Sequence, residues 1–110
     1  MRERIKFKPG SNSVTLENSV VRGHRDEYVF RARPGQQLTV HISSIEDNAG
    51  FEIHVHETGE SISYTVEPNG GPARWSGELP PLGPYAFVDY AIVVRGTRGN
   101  ATYKLTVTIR

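Results

Sequence analysis

Hydrophobicity with a period of two runs through this chain almost from end to end, and no segment shows a 3.6-residue apolar repeat. In LTVHIS, Leu38, Val40 and Ile42 alternate with Thr39, His41 and Ser43. In FEIHVHE, Phe51, Ile53 and Val55 alternate with Glu52, His54 and His56. YKLTVTIR sets Tyr103, Leu105, Val107 and Ile109 against Lys104, Thr106, Thr108 and Arg110. YAIVV groups Tyr90, Ile92 and Val94, and shorter runs of the same kind stand at RIKF, SVTL, YVFRA and SYTV. Successive side chains of an extended chain point to opposite faces, so each run reads as a strand with one apolar and one wet face.

The breaks between these runs, KPGSNS, RPGQ, EDNAG, ETGE, EPNGGP, LPPLGP and GTRGN, hold nearly all of the 11 glycines and 7 prolines. The spacing predicts eight or nine short strands. The fold class expected is all-β: a two-sheet antiparallel β-sandwich of the jelly-roll-like kind. At 110 residues, a single domain spanning residues 1–110 is expected. The absence of cysteine excludes disulfides, thiolate metal sites and a cysteine nucleophile. Thirteen basic residues against 12 acidic predict no lopsided basic face, and hence no nucleic-acid partner. No apolar run approaches a membrane span, so membrane insertion is not expected. MRERIKFKPG lacks the apolar stretch of a signal peptide.

Few residues look like chemistry. His54 and His56 stand at i and i+2, roughly 6.5–7 Å apart along a strand. His41 lies on the polar face of its own strand, so a zinc site of His41, His54 and His56 is a candidate. Without a third ligand fixed by spacing, FEIHVHE reads first as a strand with a wet side. Glu46, Asp47 and Asn48 lack the alternating spacing of a calcium loop and read as a turn. Ser76 lacks the Gly-x-Ser-x-Gly elbow, and no carboxylate pair is set up for acid–base work. The expectation is a protein that is not an enzyme and needs no cofactor. Among the aromatics, Trp75 and Tyr90 read as inward. Tyr85 and Phe87, in LPPLGPYAFVDY, sit on a proline-stiffened loop suited to present both rings to a partner.

Several motifs, taken together, carry a resemblance. Asp26 stands two residues before the strand tyrosine Tyr28, and Arg33-Pro34-Gly35-Gln36 forms a turn. Gly77 to Pro80 then leads to an Asp89-Tyr90 strand, and Tyr103-x-Leu105-x-Val107 closes the chain. From about Arg4 to Ile109 the pattern resembles the bacterial pre-peptidase C-terminal domain and its single-domain relatives. Those relatives include the periplasmic inhibitors of g-type and i-type lysozymes. The resemblance implies a jelly-roll sandwich, a non-catalytic role and a secreted or periplasmic location. Two departures stand out: Pro84 to Val88 is inserted before Asp89, and the Ser-Gly-x-x-Tyr loop of the inhibitors is not matched, since Gly23 stands five residues before Tyr28 with Arg22 in place of serine and Ser76-Gly77 is followed by Glu-Leu-Pro.

The working surface expected is the loop set around Gly23–Asp26 and Pro80–Asp89. Arg22, His24 and Arg25 make a cationic tip there for an acidic partner, and Tyr85 and Phe87 supply the rings. The reading is a binding or accessory module of an exported bacterial protein, with a protein or glycan ligand. A lysozyme inhibitor and a carbohydrate-binding module are the alternatives.

Overall fold

The computed structural model describes residues 1–81 and 83–110. Eight strands follow in order: β1 (Arg2–Arg4), β2 (Ser13–Val20), β3 (Arg25–Ala32), β4 (Gln37–Ser44), β5 (Ala49–Val55), β6 (Ala73–Glu78), β7 (Val88–Gly96) and β8 (Ala101–Ile109). They form two four-stranded sheets, β1-β3-β7-β5 and β2-β8-β4-β6. The alternating apolar residues of both sheets meet in one core. Tyr28, Phe30, Leu38, Val40, Phe51, Ile53, Tyr90, Ile92, Leu105 and Val107 are all at most 2% exposed. The two-sheet sandwich expected from the periodicity is the observed fold.

Three local expectations change. RIKF is not a strand: the pairing segment is Arg2–Arg4, and it lies parallel to β3 in an otherwise antiparallel structure. Ile5 still enters the core, with its amide bonded to the Val29 carbonyl at 2.8 Å. FEIHVHE ends as a strand at Val55, leaving His56 in the turn that follows. SYTV forms no strand. It belongs to a strap, residues 56–72, that runs back along β5 and touches its ladder through bridges at Ser61 and Val66. Phe51 and Val66 exchange two main-chain bonds of 3.0 and 2.7 Å, while the Ile62 amide donates to the Ile53 carbonyl. Buried Ser63 accepts from the Ile53 amide through its hydroxyl.

The strap has a topological effect. β5 ends beside the ends of β3 and the start of β7, and the strap carries the chain back before β6 begins. One end of the sandwich therefore gathers the β2–β3, β4–β5 and β7–β8 turns, and the other gathers the β3–β4, β5–strap and β6–β7 connections. The molecule measures 41 × 29 × 25 Å.

Inside, Asp26 is only 5% exposed and accepts a 2.6 Å hydrogen bond from the Tyr103 hydroxyl, which in turn lies 2.5 Å from the Tyr28 hydroxyl. A carboxylate only accepts, so the Tyr103 proton goes to Asp26 and the Tyr28 proton to Tyr103. The chain of bonds joins β3 of one sheet to β8 of the other. The Asp-x-Tyr spacing noted in the sequence is thus a cross-sandwich tie. The Arg33–Gln36 turn is also as expected, closed by the Gln36 amide on the Arg33 carbonyl at 3.2 Å. Leu79 is locked to it by two main-chain bonds, of 2.8 and 2.9 Å, to Gly35 and Gln36.

Candidate functional site

The two loops expected to form one surface stand at opposite ends of the molecule. Arg25 pairs with Arg95 at the start of β3, whereas Ala32 pairs with Val88 at its finish. Seven residues of extended chain separate these positions by roughly 23 Å. The Arg22, His24 and Arg25 cluster and the Tyr85, Phe87 cluster are therefore two places, each with its own geometry.

At the first, the His24 amide bonds the Val21 carbonyl at 2.9 Å, closing a turn with Gly23 at φ +81°. Positive φ at the third position defines a type II turn and suits glycine. The Asn100 side chain accepts from the Arg22 amide at 2.7 Å, tying this turn to the β7–β8 connection. Arg22, His24 and Arg25 are exposed, and none forms an ion pair among the described residues. Asp26, counted with them in the sequence, instead faces the core. Two residues shape this end, Asn48, which the sequence placed in a turn, and Arg98, which sequence reasoning did not single out. Buried Asn48 donates to the Arg98 and Asn100 carbonyls, both at 2.9 Å, and fixes the β4–β5 turn against the β7–β8 turn. Arg98 donates to the Glu46 carbonyl at 2.5 Å. The stretch Glu46-Asp47-Asn48, with Asp47 at φ 49°, is thus a turn held by its asparagine.

The histidines diverge. His41 sits on the outer face of β4, level with Thr106 and Arg74. His54 lies on the outer face of the other sheet, with Nε2 3.8 Å from Glu27. His56 has left its strand and donates its amide to the Asp89 carbonyl. His41 and His54 look away from each other across the sandwich, so the trio does not converge on an ion. Among the described residues no group of three His, Cys, Asp or Glu side chains is gathered for a metal.

The outer face around His54 is a grid of charge. Arg4 grips Asp89 through two bonds of 3.2 and 3.0 Å, and Arg31 lies 3.5 Å from the same carboxylate. Arg95 reaches Glu52 at 2.9 Å, and Arg2 pairs with Glu27. The hydrogen bond from Arg4, aided by its charge and that of Arg31, holds the Asp89 carboxyl below its ordinary value against the opposing effect of burial.

At the second end, a cavity of about 650 Å³ opens between the β5–strap turn and the β6–β7 connection. Tyr85 and Phe87 line it while remaining 69% and 58% exposed. Val55, Val88 and Pro81 supply apolar wall, and Glu57, Glu60, Asp89 and Arg31 supply charge. Leu82, part of the loop expected to act here, lies outside the described residues. Trp75 takes no part: it is half-buried on the core side of β6, with its ring across Gly77. Tyr90 is fully buried and stacked on Phe30 at 5.7 Å.

No protein-family model matches this chain, and no curated protein does. Solved structures do. The chain is similar to the Aeromonas hydrophila PliG, a periplasmic inhibitor of g-type lysozyme, with TM-score 0.82 at 25% identity over 99% of this chain and 96% of that one. It is similar to the pre-peptidase C-terminal domain of a Bacillus anthracis collagenase, with TM-score 0.74 at 18% identity, covering 98% and 95%. The Salmonella Typhimurium PliG gives 0.71 at 24%, covering 99% and 97%. The fold is that of these proteins, as the sequence motifs imply. Among the described residues, no helix is long and apolar enough to cross a membrane.

Proposed function

We propose that this chain is a non-catalytic binding module acting outside the cytoplasm, and that its partner is a lysozyme. The first part is supported by full-length likeness to inhibitors and to a C-terminal domain of a larger enzyme. The periplasmic inhibitors among those structures support the location. The observation that carries the second part is the β2–β3 tip. Two guanidinium groups, those of Arg22 and Arg25, stand free beside His24 on a turn whose backbone is pinned by the bond from the His24 amide to Val21 and by the Asn100 side chain. A rigid tip loses little conformational freedom on entering a cleft, and its guanidinium groups suit carboxylates there.

The experiment is a panel of c-, g- and i-type lysozymes, each assayed with a molar excess of this protein. Inhibition of one class, weakened roughly 10- to 100-fold by Arg22→Ala with Arg25→Ala, is the expected result. Failure to inhibit or bind any of the three classes overturns the lysozyme assignment.

A further inference from the structure

The cavity at the β6–β7 end has a composition that the lysozyme reading does not use. Its volume falls within the roughly 300–1,000 Å³ of ordinary ligand sites. Acidic side chains outnumber basic ones in its lining by three to one. The single lining cation among the described residues, Arg31, is turned toward Asp89, which Arg4 already grips from the sheet face. That leaves Glu57 and Glu60, both exposed and neither in an ion pair among the described residues. Opposite them stand two exposed aromatic rings on a proline-rich loop, whose approach is fixed where Leu79 bonds the β3–β4 turn.

Aromatic faces attract cations, and carboxylates pair with them. An anion would meet two uncompensated carboxylates here, and a neutral sugar would leave them uncompensated. We propose that this cavity binds a cationic side chain, arginine or lysine, presented by an extended peptide segment. The rings hold the aliphatic stem and the planar or ammonium head, and Glu57 and Glu60 supply the counter-charge. The cavity exceeds the size of one side chain, which leaves room for the flanking backbone beside Val55, Val88 and Thr58.

The probe is the blocked tripeptide Gly-Arg-Gly, titrated into the ¹⁵N-labelled protein, with Gly-Gln-Gly and a chito-oligosaccharide as comparisons. The expected result is amide shift changes confined to residues 57–60 and 85–89 with the arginine peptide. The dissociation constant should rise about fivefold or more in Glu57→Gln with Glu60→Gln, and again in Tyr85→Ala. These positions are exposed, so a dispersed spectrum will attest that each variant is folded. Arg22→Ala with Arg25→Ala lies at the far end and should leave this binding unchanged, which separates the outcome from that of the lysozyme panel. Three results overturn the proposal: no shift with the arginine peptide up to about 10 mM, equal affinity for the glutamine peptide, or saccharide binding that survives loss of both glutamates.

Discussion

Replacing Tyr103 by phenylalanine removes the central link of the bond chain that joins the two sheets. The substitution deletes one oxygen and leaves the ring in place, so no sizeable void opens. Two partners each lose a bond, with the N-terminal ammonium left 4.0 Å from the other oxygen of Asp26. Asp26, 5% exposed, loses its 2.6 Å donor, and Tyr28, 1% exposed, loses the acceptor 2.5 Å away. A hydrogen bond to a charged group contributes roughly 1.5–3 kcal/mol, and one between neutral groups about 1 kcal/mol. The expected loss in Tyr103→Phe is therefore about 3 kcal/mol, a large share of the roughly 5–15 kcal/mol available to a domain of this kind. Tyr28→Phe removes only the outer link and should cost about 1 kcal/mol. Urea unfolding followed by circular dichroism measures both, with the slope of the transition compared to exclude a change in the unfolded state. Equal losses for the two variants, or a Tyr103→Phe loss below about 1 kcal/mol, would refute the directional chain.

Burial is the largest cause raising the phenol pKa of Tyr28, Tyr90 and Tyr103 above the usual 10, and Asp26 adds to it at Tyr103. The unfolded chain releases these protons near pH 10 while the folded protein keeps them, so stability is full below that value and falls as pH climbs past it. The slope reaches about 1.4 kcal/mol per pH unit for each tyrosine. Absorbance at 295 nm should show these three ionising together with loss of the fold, and tyrosinate formation at all five positions in an intact fold contradicts the burial argument. Gly77→Ala would place a methyl carbon 2.8 Å from two atoms of the Trp75 ring. It should displace the indole toward solvent, shift its emission to the red and cost about 1–3 kcal/mol. Unchanged emission with unchanged stability would mean that the ring does not lie across Gly77.

How far the chain could be read in advance differs from element to element. LTVHIS, the FEIHV part of FEIHVHE, and YKLTVTI are strands whose alternation is enforced by a core on one side only, and their buried sets are as expected. In β7 the outer residues Ala91 and Val93 are buried too, because it is a central strand flanked by the charge grid. SYTV has the composition of a strand but pairs through isolated bridges, since Ser63 spends its hydroxyl on the Ile53 amide. RIKF carries the right residue types, yet pairing is decided by β3, which selects Arg2–Arg4 instead. The separation of the two loop clusters was open to a count of reversals. Each antiparallel turn exchanges ends, and the returning strap supplies the one that sets Arg22 and Tyr85 apart. Distances across the sandwich are beyond such a count, so the divergence of His41 from His54 and the anchoring by Asn48 needed the fold itself.

The strap also decides how this protein comes apart locally. Strand β5 offers the amides of Phe51, Ile53 and Val55 to the strap rather than to another strand, at 3.0, 2.9 and 2.8 Å. Few buried side chains hold it down: Ile62 and Val66 are only partly buried, and Tyr64 is 92% exposed. Amide hydrogen exchange at those three β5 positions should accordingly report strap opening, at a lower free energy than exchange in central β7. Each opening bares a full strand edge rich in Phe, Ile and Val, which is the surface on which two copies of a β-protein join. The segment that turns the chain around thus also covers the β5 edge against pairing with a neighbour's strand.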